Sequence, residues 1–404
     1  MGARSAMSRD RLEFLFLNVG HFLDHLFMLI FATVAAVRLA DEWGMSYAAL
    51  IPYATPGFIA FGAGAIAAGW IADKWSREGM MVVFFIGIGA SSILTALADT
   101  PVEIALGLLA IGVFAAIYHP VGIAMVVQGR RKTGVPLAIN GVSGNLGVAA
   151  AALLTGYLID TAGWRSAFVL PGAVAIGLGV AYAVFLRAGP RVQTTNGPSG
   201  AAAGQARAGA SSIDRATFVR VLAIIVFTTA IGGLIFQSTT FSLPKILDER
   251  LGKLAGSATA VGGYAALVFA IAALAQLVVG YLVDRRPVRT VFAFVAGLQA
   301  VFFAAMFRLT GGAALVVAVA FMLVVFGQIP INDVLVGRVT KSEWRSRIYS
   351  LRYVVTFSVM ASTLPVIAGI HAGWGFGALF LVMAIAASAI FVAVLLLPRA
   401  AASG

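Results

Sequence analysis

Cysteine is absent from this chain of 404 residues, and charged residues are scarce. The lack of cysteine excludes disulfides, thiol catalysis and thiolate metal sites. Asp, Glu, Lys and Arg make up 11% of the residues, whereas a soluble domain carries about 25%. Hydrophobic residues account for 61%, and the mean hydropathy is +0.98. These proportions predict an integral membrane protein, whose length divides into membrane spans rather than globular domains.

Several signatures of enzymes are missing as well. The chain has no G-x-x-x-x-G-K-[ST] loop, which argues against ATP hydrolysis, and neither H-E-x-x-H nor G-x-S-x-G occurs. We therefore expect no enzyme activity and no cofactor. The net charge of +12 comes from residues in loops, so we interpret it as a signal of membrane topology and expect no nucleic-acid partner.

Apolar runs long enough to cross a bilayer, which takes about 20 residues, divide the whole sequence. The first run is too long for a signal-peptide core and contains ionisable residues, so we expect a mature helix. The twelve predicted spans are 12–37, 47–72, 80–98, 103–127, 135–159, 165–187, 218–243, 258–283, 289–308, 312–335, 348–370 and 374–398.

A segment rich in Gly, Ala, Ser and Arg separates the sixth run from the seventh. Such a composition cannot bury a core, so we interpret residues 188–217 as a flexible cytoplasmic linker. The sequence thus predicts an all-α membrane protein of twelve transmembrane helices. They form two six-helix halves, residues 1–187 and 218–404.

Positive charge is concentrated on one side of the predicted bundle. With the N-terminus inside, most of the 28 lysines and arginines fall in inner loops or at inner helix ends. Cytoplasmic loops of membrane proteins carry an excess of these residues. We therefore predict a multi-pass protein of the inner membrane with both termini in the cytoplasm.

The two halves repeat one loop sequence. Gly69 and Asp73 are the first and fifth residues of the stretch GWIADKWSR. Gly280 and Asp284 hold the same places in GYLVDRR, 211 residues later. Each copy has Gly, three residues, Asp and a basic cluster. Two further matches at an offset of 210 residues support a duplication: Pro120 with Pro330, and AGW at 162–164 with AGW at 372–374. Parallel repeats of six helices are typical of one large transporter architecture.

The doubled loops resemble the signature loops of the major facilitator superfamily. The resemblance implies alternating access through a cavity between two pseudo-symmetric halves. It also implies that the loop Asp and Arg latch helix ends, a role that carries over to Asp73, Arg77 and Asp284. Arg289 stands one position later than the strict pattern. Asp333, in the tenth span, is a further predicted gate residue.

Three shorter stretches resemble the fosmidomycin-resistance group of bacterial facilitators. They are GHFLDHLF in the first span, YHPVG in the fourth and NGVSGNLG in the fifth. The Asn-Asp order of that group is not kept, and the fourth span lacks the embedded Arg of proton-driven drug exporters. This resemblance favours export of the solute.

The first span carries four polar residues at spacings of three and four, which places them on one helical face. They are Asn18, His21, Asp24 and His25. A charged group at the bilayer centre costs about 2.5–3.5 kcal/mol or more, so each is a functional candidate. A buried Asp beside His predicts a proton site. A polar seam that ties helices together is the structural alternative.

Other polar residues in apolar helices complete the predicted cavity. Each has a structural alternative: an interhelical hydrogen bond for Gln237, a bond to a freed carbonyl for His119 and an ion pair for Arg352. Pro120 removes a backbone hydrogen bond and bends the fourth helix beside His119. No metal site is predicted; the competing metal hypothesis would need His119 or Met125 beside the first-span histidines. The further cavity residues are Tyr118, His119, Asn145, Gln237, Gln328 and Arg352.

The sequence therefore predicts a secondary active transporter that moves a small organic solute across the inner membrane by alternating access. Proton coupling through Asp24, tuned by His21 and His25, is the working hypothesis, and export is favoured. The alternative is an importer of a metal ion or an organic anion that uses the same histidines. A sensor without flux is a third possibility. The expected partners are the solute, protons and the lipid bilayer, and the expected state is a monomer.

Overall fold

The computed structural model describes residues 9–130, 133–188, 215–339 and 342–398. Within these ranges, the side chains of residues 215, 333, 337–339 and 342–353 lie outside the description. The described chain is helical with short turns and contains no β-strand. Most of the linker predicted at 188–217 lies outside the described residues, and the seventh helix begins at Arg215.

Eleven described helices are long and apolar enough to cross a membrane and follow the predicted spans in order, which confirms the all-α membrane fold; the last of them covers the two final predicted spans. The N-terminal half comprises α1 Arg9–Glu42, α2 Tyr47–Lys74, α3 Arg77–Thr95, α4 Pro101–Val127, α5 Gly134–Ala162 and α6 Ser166–Arg187. The C-terminal half comprises α7 Arg215–Leu251, α8 Ala258–Arg285, α9 Val288–Met306, α10 Gly311–Val339 and the helical segment Ser342–Leu395.

The last segment is two helices rather than one, because Gly375 has φ 70° and ψ −175°. We call 342–374 α11 and 376–395 α12. Gly163 makes the corresponding turn between α5 and α6, with φ 80°. The two AGW triplets are therefore not equivalent in space. Trp164 follows its turn and is buried, whereas Trp374 is 77% exposed and Phe376 takes the buried place.

Short polar side chains set the helix starts. Ser46, Ser76 and Ser257 each accept a hydrogen bond from a backbone N–H three residues later, at 3.1, 2.9 and 3.1 Å. Thr100 and Glu103 form a capping box at the start of α4, with Pro at the first helical position. These caps satisfy N–H groups that the first turn of a helix leaves free.

Close backbone contacts hold the helices of the N-terminal half together. A Cβ at Gly112 on α4 would lie 2.1 Å from the carbonyl oxygen of Gly57 on α2. A Cβ at Gly147 on α5 would lie 2.1 Å from the carbonyl oxygen of Phe22 on α1. Without a hydrophobic driving force between helices in lipid, such close packing is a main source of association.

The halves meet at the end of the bundle opposite residues 9 and 398, which we call the far end. Asp160, near the end of α5, accepts hydrogen bonds from the backbone N–H groups of Thr259 (2.7 Å) and Ala258 (3.3 Å). An aspartate of one half thus caps the first turn of α8 in the other. A Cβ at Gly156 would lie 2.2 Å from the Ala258 carbonyl oxygen, so the two backbones nearly touch.

A second contact between the halves lies at the same end. Tyr47 on α2 is 4% exposed, and its ring centroid is 5.5 Å from that of His371 on α11. The same ring is 6.3 Å from Phe376 on α12. His371 Nε2 lies 3.1 Å from the carboxylate of Glu249 on α7. The far end is therefore closed in this structure.

Replacing Gly112 by alanine is expected to destabilise the protein by about 1–3 kcal/mol, because the added methyl group overlaps the α2 backbone. Gly177→Ala is the matched control, since no atom lies within 4 Å of a Cβ there. Both changes add the same helix propensity, so their difference isolates the steric effect. Thermal unfolding in detergent measures it, and equal midpoints would contradict the packing described.

Candidate functional site

The polar face of α1 is buried inside the N-terminal half, against α4 and α5. Asn18 is 9% exposed, His21 is 7% exposed and Asp24 is fully buried. The predicted spacing therefore places these side chains on a common inward face. We call His21, Asp24, His25 and His119 the histidine–aspartate cluster; it includes three of the four histidines of the chain.

His21 is held by a main-chain carbonyl of α5. Its Nδ1 lies 2.8 Å from the carbonyl oxygen of Asn140. A carbonyl oxygen only accepts, so Nδ1 carries the hydrogen and Nε2 of the neutral ring is an acceptor. Nε2 of His25 lies 3.1 Å from Nε2 of His21 and donates a hydrogen bond to it. The ring of His21 also stacks on Tyr118, with centroids 4.8 Å apart.

His119 enters the cluster from a π-helical turn of α4, Tyr118–Gly122. Pro120 lies in this turn and lacks the N–H that a regular helix would use. Such turns inside helices occur frequently at functional sites. Nε2 of His119 lies 3.4 Å from Oδ2 of Asp24, and its side chain is 22% exposed.

Asp24 is the least satisfied polar residue of the site. Among the described residues, neither of its carboxylate oxygens has a hydrogen bond of normal geometry. The imidazole of His119 is the partner of the carboxylate in an ion pair when it is protonated. A buried charge without hydrogen bonds is costly unless it is paired. Asp24 and His119 can therefore share one proton, which either neutralises the carboxylate or sits on the imidazole and forms an ion pair with the carboxylate.

The same residues can hold a metal ion. One ligand nitrogen from each of His21, His25 and His119 lies within 4.8 Å of the others. Neutral imidazole suits Zn, Cu, Fe and Ni. The geometry therefore permits both the predicted proton chemistry and the competing metal hypothesis.

Asn140 connects the cluster to α1 and α4, a role that sequence reasoning missed. Its Nδ2 donates to the hydroxyl of Tyr118 (2.8 Å) and to Oδ1 of Asn18 (3.2 Å). The predicted Asn145 is half-buried and is outside this hydrogen-bond network in the described structure. The pattern of Asn140, Gly144 and Gly147 was the available signal, since spacings of four and three share one helix face.

The C-terminal half contains a different polar set. Oε1 of Gln328 on α10 accepts a hydrogen bond from Nε2 of Gln299 on α9 at 2.7 Å. Gln237 on α7 is 2% exposed, and its Nε2 has no partner among the described atoms. Gln328 therefore makes a hydrogen bond between helices, and its partner Gln299 was not predicted as a polar residue of the cavity. The side chains of Arg352 and Asp333 lie outside the described residues.

The first signature loop binds neighbouring helix ends within its own half. Arg77 Nη2 pairs with Asp73 Oδ1 at 2.9 Å, and Arg77 Nη1 donates to Gln128 Oε1 at 3.4 Å. Gln128 directly follows α4, so the loop joins α2, α3 and α4. A Cβ at Gly69 would lie 3.4 Å from Pro120, which places α2 close to the π-helical turn.

The second signature loop makes different contacts. Nη2 of Arg289 donates to the main-chain carbonyl of Leu395 at 2.7 Å and so caps α12. Asp284 is exposed and forms no ion pair with the described residues. A Cβ at Gly280 would meet open space. The duplicated sequence thus takes up two different sets of contacts.

Comparison with known proteins identifies the family. The model of the Major Facilitator Superfamily matches residues 17–327, which is most of the chain. The chain belongs to the major facilitator superfamily. This membership and the apolar helices make it a multi-pass membrane protein, as the doubled loops predicted.

Solved structures share the fold of this facilitator. A peptide transporter POT in complex with sulfate has a TM-score of 0.75 at 15% identity and covers 99% of this chain and 96% of its own. The nucleoside transporter NupG has a TM-score of 0.72 at 14% identity and covers 95% and 99%. A bacterial homolog of the human lysosomal transporter Spinster, in an inward-facing and unoccupied conformation, has a TM-score of 0.69 at 16% identity. The match covers 96% of this chain and 98% of that chain.

A curated relative matches over a shorter stretch. The gallate transporter of Pseudomonas putida is 26% identical over 145 residues, which is 35% of this chain. The match spans 32% of the length of that protein.

Replacing Tyr118 by phenylalanine is expected to lower the free energy of unfolding by about 1–3 kcal/mol. The hydroxyl donates to the Leu17 carbonyl at 2.7 Å and accepts from Asn140, so its loss leaves buried groups unpaired. Tyr157→Phe is the control, because Tyr157 is 53% exposed. Unfolding is followed by denaturant titration in mixed micelles, and equal effects of the two changes would count against the network.

Proposed function

We propose that this facilitator is a secondary transporter that couples the movement of a small organic solute to protons. The histidine–aspartate cluster is the proton-carrying site, with Asp24 as the exchanging group. The observation that carries the proposal is the isolation of Asp24. Its carboxylate is fully buried, and the imidazole of His119 is the ionisable partner beside it in the described structure.

Asp24 and His119 together can hold a proton at the atoms that face each other. The proton resides on the carboxylate or on Nε2 of the imidazole, 3.4 Å apart. Ionisable groups inside a membrane bundle are rare, and they mark ion pathways and proton relays. The side chain of His119 is 22% exposed, whereas Asp24 and His21 are buried, so His119 is the proposed route by which protons reach Asp24.

A chain of packed rings leads from the cluster to the other half. The ring of His119 lies 5.6 Å from Phe61 on α2, and Phe61 lies 5.2 Å from Phe357 on α11. This contiguous packing supports coupling between protonation and the relative position of the halves.

The solute class rests on the family and on the relative. Superfamily membership favours transport over enzyme activity, and the gallate transporter makes an aromatic carboxylate the first solute to try. The weaker sequence resemblance to exporters favours export. The excess of Lys and Arg on one side supports the inner membrane with cytoplasmic termini.

The competing function is import of a metal ion through the same cluster. It is motivated by the three imidazole nitrogens within 4.8 Å of one another. We favour protons because Asp24 and His119 alone can bind a proton, whereas a metal ion requires all three imidazoles. A panel that includes Zn²⁺ beside gallate and other organic acids separates the two functions.

Asp24→Asn is expected to abolish solute-driven proton movement in proteoliposomes, because the amide cannot take up and release a proton. Asp41→Asn is the matched control, since Asp41 is an exposed carboxylate on the same helix. A pH-sensitive dye inside the vesicles records proton movement while the solute panel is applied.

The outcomes separate the hypotheses. Proton flux with one solute in the wild type and in Asp41→Asn, but not in Asp24→Asn, is the expected result. Solute transport without proton movement, unchanged in Asp24→Asn, would show that α1 carries a polar seam. Uptake of Zn²⁺ alone, lost with His25→Ala, would establish the metal importer instead.

Alternating access requires the contact between Asp160 and the start of α8 to break when the far end opens. Asp160→Ala is expected to increase the reactivity of Ala48→Cys, which is buried at the far end. The natural chain has no cysteine, so the label reports this site alone. Glu103→Ala, which removes a cap within one half, is the control. Equal labelling rates of Ala48→Cys with and without Asp160→Ala would refute this role of Asp160.

A further inference from the structure

A membrane-facing groove of about 670 Å³ lies in the C-terminal half, away from the histidine–aspartate cluster. Its walls are α8 and α9, and its floor is α10. Leu274 and Val278 line one wall and Phe294 lines the other, and all three are more than half exposed. The groove therefore faces lipid rather than the interior of the bundle.

The groove exists because α8 and α9 both pack on α10 and diverge from each other. A Cβ at Gly327 on α10 would lie 2.9 Å from Val279 on α8, so these two helices are in close contact. On the other side, Nε2 of Gln299 on α9 donates to the Val324 carbonyl of α10 at 3.1 Å. The gap between the walls is thus fixed by helix packing.

The length of the groove matches one leaflet of a bilayer. Its lining on α8 runs from Ile271 to Leu282, and at a rise of 1.5 Å per residue this is roughly 16 Å of helix. The hydrocarbon core of a bilayer is about 30 Å thick, so one leaflet is about half of that. A slot of this length can hold an acyl chain of a phospholipid across most of one leaflet.

A free guanidinium lies at the end of the groove nearest the chain termini. Arg286 lines this end together with Thr290. Its neighbours are engaged: Arg285 packs over the ring of Tyr281, and Arg289 donates to a main-chain carbonyl of α12. Arg286 forms no ion pair with the residues that the structure describes.

We propose that this groove binds one anionic phospholipid, with an acyl chain between α8 and α9 and the phosphate against Arg286. Basic residues at the membrane surface attract anionic lipids, and arginine binds phosphate oxygens with paired N–H donors. Positive-inside counting assigns this end to the cytoplasmic leaflet, where such lipids are recognised by basic side chains.

The site belongs to one half of the duplicated chain. At the offset of 211 residues, Trp75 takes the place of Arg286. A Cβ at Gly79 would lie 3.0 Å from the Trp75 ring, so that ring covers the start of α3. The N-terminal half therefore offers no guanidinium at the matching position.

The test uses the full chain in mixed micelles with spin-labelled phosphatidylglycerol or phosphatidylcholine. The immobilised fraction of each lipid gives their relative association constants. The wild type is expected to prefer phosphatidylglycerol, and Arg286→Gln to lower this preference about fivefold. Arg308→Gln, at an exposed arginine of the far end, is expected to keep it.

A second pair of variants tests the apolar part of the site. Val278→Trp is expected to fill the groove and release both lipids. Val301→Trp places the same ring at a position of α9 with equal exposure, 60%, outside the groove and should change nothing. The binding assay does not depend on transport, so its outcome is separate from that of the proposed function.

Three results would overturn the proposal. The first is equal retention of both lipids by the wild type. The second is an equal loss in Arg286→Gln and Arg308→Gln, which would indicate a general effect of surface charge. The third is self-association of the chain that excludes lipid from the groove, which would assign the surface to a second copy.

Discussion

The hydrogen bond between His21 and the main chain of α5 is the contact on which the N-terminal half depends. In a bilayer, polar side chains must find partners inside the protein. Gly144 makes this partner available, since a Cβ there would lie 2.7 Å from Nε2 of His21. The bare helix surface lets the imidazole reach the Asn140 carbonyl, which fixes its tautomer. That tautomer directs an acceptor toward His25 and so shapes the remaining cluster.

Much of the architecture could be predicted because the bilayer imposes simple constraints on length and polarity. Apolar runs revealed the helices, and Asp73 and Arg77 revealed the family. Contacts between helices were less accessible. The approach of His119 to Asp24 depends on a π-helical turn and on the packing of α1 against α4. Asn140 escaped notice because its importance lies partly in its backbone carbonyl, which every residue possesses.

The two halves differ in the polar residues that they bury. Among the described side chains, the N-terminal half buries His21 and Asp24, whereas the C-terminal half buries amides such as Gln299 and Gln328. The AGW triplets diverge in the same manner, because the turn at Gly375 lies two residues beyond the second copy of the glycine. Sequence identity between repeats is therefore a guide to common ancestry and a weaker guide to equivalent positions.

The histidine–aspartate cluster is built entirely from α1 and α4, with α5 behind it, so a rocking movement of one half against the other leaves its internal distances intact. Under the proposed function, its proton affinity responds to the state of the protein through water access and through Phe61, while the cluster itself stays intact. Thermodynamic linkage is reciprocal. Under the proposed coupling, a solute bound between the halves changes the proton affinity of the cluster by the same factor as the proton changes the affinity for the solute.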